Sequence, residues 1–281
     1  SLTLSGDAAC RTTVGHATNS KCFGPVWLPG SPFASNAVFT DKSGRKVDPD
    51  NKLDTNGISA TLTADTPIGQ FKSISAYRDF EAVTYNDLDF TPYLLFANNH
   101  PEFSQHQYSQ EFQLVGSTAN GKIDYVTGLY YFEEKGLERI YNQVVTAFNA
   151  TTNPGALAQD IFRNIDNSSK AAYAQVSLHV TDTVTLTGGA RYTEGRKSFT
   201  IKNILPSGAT DGPYRGTKSV DRLTPTVTLG WKATPKSYLY ATYSEGLRDG
   251  GFAARFLGVL PAVLPSYDPE YVNAYEIGSK N

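Results

Sequence analysis

The chain has 281 residues with 25 basic and 27 acidic side chains, for a formal net charge of −2. With charged residues at 19% and no basic stretch, it lacks the electrostatic footprint of a nucleic-acid binder. Aromatic residues make up 12%, led by 17 tyrosines beside 24 glycines, a mixture that favours strands and turns over helices.

The sequence begins at Ser1 and contains no methionine, so it reads as a processed product or a piece of a longer chain. No signal peptide is visible, and no apolar run approaches the roughly 18 residues of a transmembrane helix. Residues 1–5, "SLTLS", read as the stub of a strand. The stretch 6–57 reads as loop and holds both cysteines, in "CRTTVGHATNSKC". That spacing fits no CxxC metal or redox motif. Cys10 and Cys22 are either a loop disulfide in an oxidising compartment or two unrelated thiols. The expectation is the disulfide, worth about 2–4 kcal/mol if formed.

Beyond residue 57, period-two segments dominate. Strands are predicted over 58–65, 69–80, 106–116, 122–133, 170–181, 183–198, 219–232, 236–247 and 270–280. In "AYAQVSLHV", Ala172, Ala174, Val176, Leu178 and Val180 fall on one face, with Tyr173, Gln175, Ser177 and His179 on the other. Val184, Leu186, Ala190 and Tyr192 then oppose Thr185, Thr187 and Arg191. In "RLTPTVTLGW", Leu223, Val227, Leu229 and Trp231 oppose Arg222, Thr224, Thr226 and Thr228. Each segment therefore has one apolar and one polar face.

Short turns near 66–68, 117–121, 182 and 233–235 alternate with long links over 81–105, 134–169, 199–218 and 248–269. A compact soluble domain seldom carries several structureless loops of about 20 residues. An outer-membrane barrel alternates short turns and long extracellular loops by construction, and its closure satisfies every strand hydrogen bond in lipid. The apolar faces then point to lipid and the polar faces to a wet lumen. A soluble β-sandwich binding module would bury the same apolar faces inward, and a passive porin-like barrel would share the whole pattern.

Four stretches resemble TonB-dependent outer-membrane receptors: "SQEFQLVGSTANGKIDYVTGLYYFEEK" from Ser109, "VTLTGGARYTEGRKSF" from Val184, "YLYATYSEGLRDGGF" from Tyr238 and "YDPEYVNAYEIGSKN" from Tyr267. The resemblance spans about residues 54–281, with 6–53 matching nothing recognisable. It implies an all-β fold, an antiparallel transmembrane β-barrel of which residues 1–281 supply about nine or ten strands out of roughly 22. An N-terminal plug with its TonB box, and the last strands, are not among these residues. The implied function is import across the bacterial outer membrane of a scarce, bulky nutrient such as an iron–siderophore, cobalamin or a glycan. The implied partners are the TonB energy-coupling complex, acting through the plug, the nutrient and the lipid bilayer. No resident cofactor, metal, nucleic acid or enzymatic step is expected.

The stretch "YSEGLRDGGF" reads as a strand climbing to the rim, where Gly250 and Gly251 turn the chain into a loop. A phosphate-binding loop would need a following helix, and "FAARFLGVLPAVLP" is interrupted by prolines. Arg248, Phe252 and Arg255 are the candidate substrate-binding residues, because the glycine turn would hold them near the rim. Loop charges of both signs select no ligand class, so hydrogen bonding and aromatic contact are expected to share recognition. The four histidines form no metal-binding spacing, and the Asp/Glu groups around 48–54 and 79–89 lack the pattern of a calcium loop. No nucleophile elbow, Walker loop or dinucleotide fingerprint occurs.

Overall fold

In a computed structural model, the described residues are 39–40, 46–47, 51–87, 96–118, 120–144, 157–205, 207–253 and 263–281. Nine long strands carry the fold: β1 (Lys52–Thr66), β2 (Gly69–Val83), β3 (Phe96–Thr118), β4 (Ile123–Val144), β5 (Leu157–His179), β6 (Val184–Ile204), β7 (Thr210–Thr234), β8 (Ser237–Arg248) and β9 (Glu270–Lys280). Each pairs antiparallel with its sequence neighbour, in the order β1 to β9 without a crossover. Two-residue ladders add Asn86–Asp87 to β3, pair Phe39–Thr40 with Lys46–Val47, and pair Gly251–Phe252 with Ser266–Tyr267. There is no helix among the described residues. Among the described residues the sheet is an unclosed sector of a barrel, whose outer strands β1 and β9 each pair on one side only.

Register fixes which side chains share a face. Leu178, Leu186 and Leu229 stand opposite one another across β5, β6 and β7, as do Val176, Gly188 and Val227. The same face continues through Phe112 and Leu129 on β3 and β4 and through Ala241 and Ile277 on β8 and β9. These side chains are exposed, Leu129 at 59% and Ile277 at 89%. An apolar face left open is the signature of a sheet whose solvent on that side is lipid. Ala174, Val176, Leu178, Val184, Leu186, Val227 and Leu229 lie together on it, and Gln175, Arg191 and Thr226 lie on the opposite face, as expected.

The loop-side border of the apolar face is tyrosine. Tyr77, Tyr108, Tyr131, Tyr192, Tyr243 and Tyr275 belong to it, and on β4, β6 and β8 each tyrosine is followed two residues later by glutamate. The hydroxyls of Tyr131 and Tyr243 each donate to their own glutamate at 2.7 Å, and Tyr192 reaches Glu194 at 3.5 Å. Rings that bury an apolar body and present a polar tip suit a membrane–water boundary. Val184 to Tyr192 and Leu223 to Trp231 are nine residues each, about what a tilted strand needs to cross the hydrocarbon.

The nine strands expected from sequence are all present, but β3 to β7 are much longer than expected. They run to 23, 22, 23, 21 and 25 residues, so much of what read as long loops is strand. The connection between β6 and β7, expected over 199–218, is only 205–209. At about 3.3 Å per residue, a 23-residue strand reaches some 75 Å, and more than half of it stands clear of the bilayer.

Sidedness inverts along these strands. Above Tyr192 the outer row of β5 and β6 becomes Lys170, Ser168, Asp166, Glu194, Arg196, Ser198 and Thr200. The lumen row, polar below at Gln175 and Arg191, becomes Ile165, Ile161, Phe199 and Ile201. Outside the membrane the outer face meets water, so the apolar row has only the inner face on which to be buried. The switch of face halfway along a strand breaks the simple alternation. That is why the upper halves read as loop.

Candidate functional site

The upper lumen wall is built where β8 leaves β7. The β7–β8 ladder runs from Thr234 to Thr226 and stops before Pro225, which has no amide hydrogen to donate. The β8–β9 ladder continues to Arg248. Above Pro225 the two ladders therefore separate, and the chain leaving β8 turns inward. Arg222, expected to face the lumen, sits in the lumen row opposite Thr193. Its guanidinium nevertheless crosses this opening to Glu245 at 3.2 Å and lies over the Tyr271 ring at 4.7 Å.

Close approach to backbone requires glycine at Gly250, and at Gly251 a side chain would crowd the Tyr267 ring. A Cβ on Gly250 would lie 2.6 Å from the Tyr267 carbonyl oxygen, and one on Gly251 would lie 2.5 Å from the Tyr267 hydroxyl. Glycine thus lets the outgoing and returning chain pair, closed by the Ala253 amide donating to the Pro265 carbonyl at 2.9 Å. The pair lays Phe252 on the wall, stacked on Phe199 with centroids 5.9 Å apart and planes at 16°. The ring fills the space above Gly216, which any side chain there would occupy. Ile161, Phe199, Ile201 and Leu264 form a buried cluster, with Ile165, Tyr214 and Phe252 packed against it.

Charge holds the same segment. Lys218 pairs with Asp268 at 2.8 Å, and Lys197 approaches Asp249 at 3.8 Å. The Lys218 ammonium holds the Asp268 carboxyl below the usual carboxylate range, mainly through its hydrogen bond. Farther along the rim, Arg163 donates to Glu138 at 2.6 Å on the lumen row, while on the outer row Arg139 grips Asp160 through two bonds of 3.0 Å. Phe162 lies beneath both Arg139 and Lys202, at 5.0 and 4.4 Å. The mixture is polar, charged and aromatic, and no group among the described residues is arranged to hold a metal.

Of the sequence-predicted site residues, Arg248 is at the top of β8, exposed and 3.3 Å from Glu270. Phe252 is half-buried and engaged with Phe199. Arg255, Cys10 and Cys22 lie outside the described residues, as do Ser1–Ser5. Sequence reasoning missed Glu138, Arg139, Asp160, Arg163 and Asn203 because they fell in segments read as loop. The available signal was the second alternation of Ile161, Arg163 and Ile165, and of Phe199 and Ile201, on the row opposite to the lower one.

Three solved structures share this architecture. The ferric yersiniabactin uptake receptor FyuA of Yersinia pestis superposes with a TM-score of 0.68 at 17% identity, over 83% of this chain and 34% of its own. The siderophore receptor PiuA of Acinetobacter baumannii gives 0.62 at 14% identity, over 83% and 38%. The closed form of the ferric-catecholate import receptor Fiu of Escherichia coli K12 gives 0.60 at 12% identity, over 82% and 38%. The chain thus spans little more than a third of each, and identities this low establish the fold alone. No curated protein matches the sequence. The family model described as "TonB dependent receptor-like, beta-barrel" matches residues 7–281, which carries the likeness upstream of residue 54, where the motifs had placed its start. The chain belongs to the TonB-dependent receptor β-barrel family, as an unclosed sector of an antiparallel transmembrane barrel.

Proposed function

We propose that this chain is part of an outer-membrane receptor that imports a bulky iron chelate with energy from the TonB system, taking ligand at the rim rather than by any covalent chemistry. The carrying observation is the inversion of sidedness. An apolar outer belt bounded by tyrosine gives way to overhanging walls whose inner face is apolar and rimmed with charge. With the apolar row already covered by Phe252 and Leu264, what such a wall presents above the membrane is a charged and aromatic rim on which a bulky ligand can be met. The names of the three structural relatives support iron chelates over cobalamin or a glycan. Energy coupling would act through a plug contributed by the rest of the protein.

Within this reading Arg248 at the top of β8 and Arg255 beyond it contribute ligand contacts, while Phe252 aligns the 249–269 segment on the wall. Cys10 and Cys22 form an extracellular disulfide, checked by mass spectrometry of unreduced peptides, where two free thiols would overturn it. The reading as a whole is tested by uptake of radiolabelled ferric siderophores in cells lacking the receptor and in cells complemented with the complete gene. Receptor-dependent accumulation abolished by a proton uncoupler is expected. Accumulation that persists with the uncoupler would replace the assignment by a passive porin.

A further inference from the structure

The apolar outer face is not flat. On β4, β5 and β6 its side chains Thr127, Ala172, Ala174 and Ala190 are small, and Thr127, Ala174 and Ala190 stand opposite one another in one register row. They floor a groove of about 470 Å³. One wall carries Phe71 stacked on Phe112, with centroids 6.0 Å apart, and the other carries Tyr192 and Leu223. A second depression of about 410 Å³ continues it upward between Tyr131 and Tyr192 and reaches Lys170. The two share Phe112, Leu129, Ala172 and Tyr192, so they form one groove along the strands. From Ala174 to Lys170 the strand rises about 13 Å, most of the depth of one leaflet of a hydrocarbon core about 30 Å thick.

The upper end of the groove carries two cations. Lys170 and Arg196 are exposed, and neither has an ion-pair partner among the described residues. Lys170 stands opposite Glu194 and Arg196 opposite Ser168, so the two are diagonal neighbours in one outer row, about 7–8 Å apart and within reach of a single anion. The carboxylates around them are engaged elsewhere. Glu194 accepts from the Tyr192 hydroxyl at 3.5 Å, and Glu133 holds Lys135 at 2.6 Å and accepts from the Tyr131 hydroxyl at 2.7 Å. The cations stand just above the tyrosine boundary on the loop side, the level of the outer-leaflet headgroups, where basic side chains attract anionic lipid. Within hydrocarbon no hydrophobic force singles out one lipid chain. Close packing does, and a floor of small residues permits it. An apolar groove ending at a pair of free cations therefore fits a ligand that joins an acyl chain to a phosphate.

We propose that the outer face of β4, β5 and β6 is a binding site for a phosphorylated lipid of the outer leaflet. One acyl chain lies over Thr127, Ala172, Ala174 and Ala190 between the aromatic walls, and the phosphate is held by Lys170 and Arg196. The site faces away from the lumen and is independent of the imported ligand.

The test uses the complete receptor in octyl glucoside, titrated with dioleoyl phosphatidic acid, dioleoylglycerol or inorganic phosphate and read by native mass spectrometry. Wild type is expected to bind a single phosphatidic acid about tenfold more tightly than dioleoylglycerol, which lacks the phosphate, or inorganic phosphate, which lacks the chains. Lys170→Ala combined with Arg196→Ala should weaken phosphatidic acid about tenfold. Ala174→Leu combined with Ala190→Leu fills the groove and keeps the face apolar, so circular dichroism should match wild type while the preference for phosphatidic acid is lost. Equal affinity for dioleoylglycerol would leave an ordinary lipid annulus only, and inorganic phosphate bound as tightly would leave a soluble-anion site. Unaltered binding in either double variant would detach the phosphate or the chain from its residues. Each of these results overturns the inference. So does a wild-type dimer that Ala174→Leu with Ala190→Leu dissociates, since the groove would then belong to a second copy.

Discussion

The lower and upper halves of β5 and β6 form one continuous ladder with the same hydrogen bonding, yet they bury opposite faces. Below Tyr192 the row holding Val176, Leu186 and Val227 is apolar and left open. Above it the other row, holding Ile161, Phe199 and Ile201, is apolar and covered by Phe252 and Leu264. The backbone of β5 and β6 is indifferent to this change, because its bonds are satisfied by neighbouring strands in both halves. What differs is the medium on the outside, hydrocarbon below and water above. Side-chain burial follows the medium while the ladder does not.

The most severe test of the upper half is Phe199→Ala, which removes a 6%-exposed ring from under Phe252. It should cost about 3–5 kcal/mol of local stability. Limited proteolysis should then cut the 249–269 segment, with membrane insertion unchanged; a segment as resistant as wild type would show that the inner cluster holds nothing.

Next in size is a paired substitution across the boundary. Val176→Arg or Leu186→Arg should destabilise by about 2–4 kcal/mol near the midplane. Ser219→Glu, on the outer row of the upper half opposite Arg196, should stay within about 0.5 kcal/mol. Urea unfolding in vesicles reads both. Equal effects would abolish the distinction between the halves.

Smaller again is Gly216→Ala, whose methyl group would enter the space of the Phe252 ring. Overpacking of this kind costs about 1–3 kcal/mol, and combining it with Phe252→Ala should restore stability. Additive losses in the double variant would show that the ring is not the obstacle.

The smallest effect is pH-dependent. Lys218 holds the Asp268 carboxyl below its ordinary value, so their pair contributes above the unfolded carboxyl pKa of about 3.9 and is lost as pH falls through the lower folded value. Asp268 is exposed, with its side chain at 87%, so the contribution is slight. Proteolytic resistance of the segment should be flat from pH 5 to pH 8 and fall only in acid, and should lose that acid dependence in Lys218→Ala. A transition near neutrality would assign the pH response to another group.

The sequence by itself determined the sheet, its faces in the lower half and its family. A period of two against lipid is a local property, legible from residues such as Ala174, Val176 and Leu178 without knowledge of their partners. The tyrosines and the Gly250–Gly251 break were legible for the same reason. The length of β3 to β7, the inversion at Tyr192 and the wall at Arg163, Asn203 and Phe199 were decided only by tertiary structure. In water neither row of an isolated strand need be apolar, and the row that becomes buried is set by which distant segment packs on it. Here that segment is the one carrying Phe252 and Leu264, brought inward where the β7–β8 ladder stops at Pro225. Register brought Arg163 and Asn203 together from strands β5 and β6, 40 residues apart in the chain, and no spacing within either strand announces the pair.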